Sequence, residues 1–171
     1  MELKLERCTI RDWRPSDAES LAKHANNREI WLKLRDRFPH PYTLQDARDF
    51  LVRATDEKQH EKVFCIEVNG AAVGGIGMIP GEDIYRLSAE FGYWLGEEFW
   101  NRGIMSEAIP AFVDYCFRNF HLTRMFARAF ANNPVSARVL EKAGFVLEGR
   151  IRKNVIKDGQ ILDSLLYAKT K

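Results

Sequence analysis

The 171-residue chain is poor in several features that would otherwise set its chemistry. It has three cysteines, Cys8, Cys65 and Cys116, far apart and each in an apolar or strand-like context. That pattern reads as reduced, buried thiols and not as a disulfide framework. Its four histidines, His24, His40, His60 and His121, have no ligand-like spacing to one another or to a cysteine, which argues against a zinc site. No run approaches the ~20 apolar residues needed to span a bilayer. The start, Met1-Glu-Leu-Lys-Leu-Glu-Arg7, is charged and lacks the apolar stretch of a signal peptide. The chain is therefore expected to act in the cytoplasm, with no membrane partner. An excess of one charge is missing too: 26 Lys and Arg stand against 24 Asp and Glu, interspersed, so no field for nucleic acid is expected. Neither a Gly-x-Ser-x-Gly nor a P-loop motif occurs. Gly74-Gly-Ile-Gly77 lacks the third glycine of a dinucleotide loop and falls in a hairpin strand, not before a helix.

What is present is an ordinary globular composition, 46% hydrophobic and 29% charged, in a length that suits one compact domain over residues 1–171. Leu5 to Trp13 reads as a strand. Ser16 or Asp17 is placed to cap the helix that follows, and Asn26 to Phe38 reads as a short helix plus loop. Thr43 begins a capping pattern for a helix from about Leu44 to Thr55. Val63–Val68 and Ala71–Ile79 are β-rich runs joined by Asn69-Gly70, a strong hairpin signal. Arg86–Leu95 is a further strand, and a helix to about Asn119 carries Ile109, Phe112, Val113, Cys116, Phe117 and Phe120 on one stripe. Met125–Phe130 is a buried strand. Asn133 caps a helix with Pro134 at its first position, and Gly144 ends it. A last hairpin turns at Asp158-Gly159. The order β-α-α-β-β-β-α-β-α-β-β implies one α/β (α+β) domain, a mixed and mostly antiparallel sheet flanked by helices.

The segment Phe99-Trp-Asn-Arg-Gly-Ile-Met-Ser-Glu-Ala108 lies where an alternating strand gives way to a helix. A turn at Gly103 leading into a helix N-terminus presents free backbone N–H groups and the positive end of the helix dipole, a cradle for a diphosphate. About thirty residues on comes Asn133-Pro-Val-Ser-Ala-Arg-Val-Leu-Glu-Lys-Ala-Gly-Phe145. Together with Pro41-Tyr-Thr43 and Phe91-Gly-Tyr-Trp-Leu95, these segments resemble the GCN5-related N-acetyltransferase superfamily over nearly the whole chain. Within it they are most similar to the branch of ribosomal-protein N-terminal (alanine) acetyltransferases.

The resemblance implies acetyl-CoA as donor, a primary amine as acceptor, and splayed central strands forming the acyl-CoA cleft. The backbone of Trp100, Asn101, Arg102, Gly103, Ile104, Met105 and Ser106 would hold the diphosphate, and the backbone of Tyr93, Trp94 and Leu95 would pair with the pantetheine arm. Arg102 and Arg138 are candidate phosphate partners. Asn133 is expected both to cap its helix and to meet the cofactor. The loop departs from the family's usual Gln/Arg-x-x-Gly-x-Gly/Ala, with Trp100 and Met105 at its outer positions. Many members also place an acidic tyrosine seven residues after the capping asparagine, where this chain has Leu140. In the resembled branch a serine at the position of Ser136 can take over as the acid that reprotonates the departing thiolate.

An attacking amine must be neutral. At pH 7 that costs an α-amino group about 1.1 kcal/mol and a lysine side chain about 4.6 kcal/mol. Glu90 is the leading candidate base, in a strand whose largely apolar setting would raise a carboxyl pKa, with an ion pair to an arginine such as Arg86 as the competing reading. Glu107 reads as dipole compensation. The acceptor is expected to be a protein N-terminal α-amine. A polyamine, amino acid or aminoglycoside, or a silent acyl-CoA sensor, is the alternative. No metal is implied, and monomer and homodimer are both open.

Overall fold

Eight strands in the order β1-β2-β3-β4-β5-β6-β8-β7 form one sheet, with the helices packed on its two faces. The computed structural model describes residues 1–56 and 58–171. The strands are Glu2–Lys4 (β1), Thr9–Arg11 (β2), Lys62–Val68 (β3), Ala71–Pro80 (β4), Ser88–Leu95 (β5), Arg124–Phe130 (β6), Val146–Lys157 (β7) and Gln160–Thr170 (β8). The helices are Ala18–Ala25 (α1), Arg28–Trp31 (α2), Leu44–Ala54 (α3), Ile104–Asn119 (α4) and Pro134–Lys142 (α5). The β3–β4 hairpin turns at Asn69 and Gly70 with φ of 51° and 80°, the two positive values that a tight twisted hairpin requires. Gly74 and Gly75 are explained by crowding: a Cβ at Gly75 would lie 2.7 Å from the Trp94 indole nitrogen. Thr43 and Asp46 close the capping box on α3.

Two expectations are corrected. The first strand, read over Leu5–Trp13, is a hairpin of two short strands that starts earlier. Leu5 N–H donates to the Cys8 carbonyl at 2.9 Å, and the next two amides, of Glu6 and Arg7, donate to the Glu107 carboxylate at 2.6 and 3.0 Å. Amides captured by a helix side chain cannot continue a ladder. Asp17 stands at the N-cap position of α1, but its side chain makes no cap hydrogen bond there. It lies in a 3-10 turn over Pro15–Asp17, where both its oxygens accept from Arg11 at 2.8 Å and one accepts the Arg14 N–H. Arg11 is buried to 4% exposure, and such a cation demands its counterions; Glu67 is the second.

One face of the sheet packs on α4 and α5. There Ile109, Phe112, Val113, Cys116 and Phe117 are buried against Phe91, Leu95 and Met125, and Phe120 lies at the margin. The other face packs Trp13, Leu21, Ala47 and Leu51 against Cys65, Ala72 and Trp94. The alternation expected of β5 thus holds, with Phe91, Tyr93 and Leu95 on the α4–α5 side and Trp94 on the other.

Among the described residues, β5–β6 is the one parallel pair in the sheet. It is paired only through Ser88↔Arg124, Ala89↔Met125 and Glu90↔Phe126. Beyond that point β5 stays paired with β4 as far as Leu95, and β6 with β8 as far as Phe130, while the two strands part from each other.

Asp17→Ala is expected to destabilise the fold by about 3 kcal/mol in urea unfolding, because Arg11 loses a buried partner. Burial alone would raise the Asp17 carboxyl, but the Arg11 guanidinium and the Arg14 amide outweigh it and hold it below its ordinary 3.8. This contribution is therefore complete above that pH and lost as pH falls through the lowered folded value, and the variant should flatten that acid limb.

Candidate active site

The parted strands open a cleft of about 1460 Å³. Its walls include Glu90, Tyr93, Trp94, Leu95, the whole loop from Trp100 to Ser106, Asn133, Ser136 and Arg138. Every residue singled out in the sequence for catalysis or cofactor binding therefore borders one cavity.

Where β5 and β6 separate, backbone groups of residues 91–95 that point toward β6 have no ladder partner on that side. This is a sheet edge in the middle of a sheet. An amide-bearing chain can complete it as an added strand would. One of the expected backbone acceptors is already engaged, since the Trp100 indole N–H donates to the Leu95 carbonyl at 2.7 Å. That bond also explains a tryptophan at the loop's outer position: it ties the loop to the end of β5. Trp94 contributes backbone here, while its indole packs in the second core against Phe38, with ring centroids 5.6 Å apart.

The loop after β5 ends in Gly103, left-handed at φ 76°, ψ 0°, which acts as N-cap of α4 without any side-chain cap. The first amides of α4 are consequently free for an anion, and the helix dipole favours one. Ile104 and Met105 are buried, so they can serve a ligand only through backbone. Arg102 lies over the Phe99 ring at 5.4 Å, and neither it nor Arg138 is ion-paired among the described residues. Two uncompensated guanidiniums and a row of free amides suit a diphosphate.

Asn133 caps α5, its side-chain oxygen accepting the Ser136 N–H at 3.3 Å. With that amide satisfied, the Ser136 hydroxyl turns to the Tyr93 phenol, 2.7 Å away. Burial raises the Tyr93 pKa and the Ser136 hydrogen bond opposes the rise, so the phenol stays protonated near neutral pH. Leu140 is fully buried in the core. A phenol nevertheless reaches Ser136 from β5, and the one sequence signal for it was strand alternation, which turns Tyr93 toward the α5 side.

Glu90 does not have the apolar surroundings expected of it. It sits at the last paired position before the parting, on the face opposite α4 and α5. One oxygen accepts from Arg35 and the other from Arg128 at 2.9 Å. Neither partner is Arg86, whose guanidinium instead donates to the Asp83 carbonyl. Arg35 comes from the loop after α2, and no local pattern foretold its place. Glu107, in the first turn of α4 where a carboxylate suits the helix dipole, also accepts the Glu6 and Arg7 amides of the β1–β2 turn.

Burial pushes Cys8 up to about 11 and Cys65 and Cys116 up to about 12; none borders the cleft, so no thiolate nucleophile is at hand. Among the described residues no group of three or more His, Cys, Asp or Glu side chains is arranged to hold a metal ion, and no helix is long and apolar enough to cross a membrane.

Residues 7–146 match the family model described as an acetyltransferase (GNAT) domain. The chain belongs to the GNAT acetyltransferase family. Among GNAT relatives it is 31% identical to a probable N-acetyltransferase, YjcK, of Bacillus subtilis over 92% of this chain and 90% of that one. It is 29% identical to a putative ribosomal N-acetyltransferase, YdaF, of the same organism, over 97% and 92% respectively. Its fold superposes with a TM-score of 0.89, at 21% identity and covering 99% of this chain and 98% of the other, on RimL, a ribosomal L7/L12 alpha-N-protein acetyltransferase solved with coenzyme A. The eight-stranded sheet parted between β5 and β6 is thus the GNAT fold, and the cleft between those strands is its candidate active site.

Gly103→Ala forces an L-residue into the left-handed region, with its Cβ 3.3 Å from Arg7 Nε. It should cost about 1–2 kcal/mol in urea unfolding, whereas Gly159→Ala, also at positive φ but open to solvent, reports the backbone part of that cost alone.

Proposed function

We propose that this GNAT enzyme transfers the acetyl group of acetyl-CoA to a primary amine in the cytoplasm, and that the preferred amine is the N-terminal α-amine of a protein. The observation that carries the reading is the Tyr93–Ser136 hydroxyl pair at 2.7 Å in the same cleft as the uncapped start of α4. Diphosphate-binding groups and a proton donor thereby border one space. RimL, which shares the fold, was solved with coenzyme A, and YdaF carries a ribosomal designation. The α-amine is also the acceptor that needs least from a base, at about 1.1 kcal/mol against about 4.6 kcal/mol for lysine.

Acetyl-CoA supplies an activated acetyl group and a thiolate that must be protonated as it leaves. The residues of this chain divide the rest. The free amides from Gly103 to Ser106, with Arg102 and Arg138, hold the diphosphate. Asn133 fixes the first turn of α5, so that Ser136 points into the cleft. Ser136 gives its hydroxyl proton to the thiolate and is resupplied through Tyr93, which also fixes its rotamer. Backbone N–H groups at the open edge of β5 polarise the thioester carbonyl. Glu90, on the other side of the parting, receives the amine's proton, directly or through water. Bond making and breaking balance: nitrogen joins the acyl carbon, the carbon–sulfur bond breaks, one proton leaves the amine and one reaches sulfur.

Ser136→Ala is expected to lower kcat about 100-fold with little change in acetyl-CoA KM. Tyr93→Phe should lower kcat about fivefold, the worth of roughly one hydrogen bond. Thiol release from acetyl-CoA with a mixed panel of peptides and small amines measures both. Tight cofactor binding with transfer to no amine would instead identify a sensor. A Glu90→Gln enzyme that keeps the wild-type pH–rate profile would remove Glu90 as the base. Gly92, which has nothing within 4 Å of where a Cβ would stand, offers a block without unfolding: Gly92→Leu should leave the melting temperature near wild type and abolish transfer.

A further inference from the structure

The acceptor side of the cleft has an uneven distribution of charge. Arg37 is matched by Glu61 at 2.5 Å, and Lys157 by Asp36 at 2.7 Å. Glu90 is shared by two cations, Arg35 and Arg128. Lys33 and Arg53 on the same wall are balanced in number by Asp46 and Asp49, so the surplus positive charge lies at Glu90, where the amine must arrive. Glu90 is 18% exposed at its side chain, whereas Arg35 and Arg128 are 52% and 43% exposed, so both guanidiniums can be reached by a ligand. Arg128 is backed by the Phe126 ring at 5.3 Å, which orients it without neutralising it.

A second observation points to the same place. Ser164 is 1% exposed, its hydroxyl has no hydrogen-bond partner, and it borders the cleft. In the β6–β8 register Ser164 faces Phe130 while Arg128 faces Leu166. Ser164 and Arg128 are thus diagonal neighbours on one face, at about 7–8 Å for such pairs. A buried hydroxyl without a partner is a group waiting for one.

An amine reaching Glu90 must displace a guanidinium from it. If the acceptor brought only its own positive charge, three cations would surround one carboxylate. An acceptor with an anionic group near its amine removes that conflict, since the freed guanidinium takes the anion in a two-pronged hydrogen bond. We propose that the acceptor is a primary amine with a carboxylate or comparable anion a few bonds away, bound by Arg35 and Arg128 with Ser164 donating to the same anion. On the reading of a protein N-terminus, on which this inference rests, that means an N-terminal peptide with Asp or Glu in its first residues.

Three peptides sharing an N-terminal serine, followed by acidic, neutral or basic residues, test this through kcat/KM by thiol release, with free aspartate and glutamate as further acceptors. The acidic peptide should exceed the basic one at least tenfold, and the ratio should shrink as salt rises. In Arg128→Gln and Arg35→Gln the ratio should fall toward one, and Arg128→Glu should invert it. Because the ratio is read within one preparation, it is independent of how much of a variant folds. Transfer to the free dicarboxylic amino acids but to no peptide would keep the anion and replace the peptide source. Equal rates across the peptides, or a ratio unchanged in the arginine variants, would overturn the proposal while leaving the acetyltransferase reading intact. Failure of every amine would remove that reading first.

Discussion

Everything distinctive in this molecule depends on two neighbouring strands that stop pairing. β5 and β6 share three residue pairs and then separate, each remaining bonded on its outer side. Unpaired backbone inside a protein is costly, so an internal edge of this kind is kept only where something else completes it. The parting places the open edge of β5 beside the uncapped start of α4, with α5 on one side and the Glu90 face on the other. Donor and acceptor chemistry meet at a fixed line because the sheet ends there as a ladder and continues as two walls.

The supports are polar. Arg11, buried between Asp17 and Glu67, ties the first hairpin to the start of α1 and to β3. Glu107 joins α4 to the β1–β2 turn through two amides, which steadies the helix whose first turn faces the cleft. Trp100 anchors the loop before Gly103 to β5 through its indole. Arg11 and Glu107 thus satisfy charge or backbone far away in sequence from outside the cleft, while the Trp100–Leu95 bond is local and lies in the cleft wall itself.

The Tyr93–Ser136 pair joins a phenol from β5 to the first turn of α5 within the cleft. Leu140 fills the core, and the phenol beside Ser136 comes instead from the neighbouring strand. On the acceptor side the same economy gives Glu90 a double guanidinium clamp in place of an apolar pocket. Both arginines of that clamp remain about half exposed while the carboxylate is mostly covered.

Local rules were sufficient wherever the signal was local. Asn69-Gly70, Thr43 with Asp46, Asn133-Pro134 and the apolar stripe of α4 all fall where turn chemistry, capping and periodicity put them, because each depends on residues within a few positions. Those rules misjudged Asp17 and the first strand, where partners distant in the chain, Arg11 and Glu107, outbid the local preference. The family, the loop around Gly103 and the candidates Glu90 and Ser136 were legible in the sequence alone, since motif order and residue type carry them. Only the tertiary structure decided what surrounds those residues: that Tyr93 bonds Ser136, that Arg35 and Arg128 clamp Glu90, and that Ser164 is buried without a partner. Such contacts span tens of residues and are set by sheet register and helix docking, and no short-range pattern encodes either.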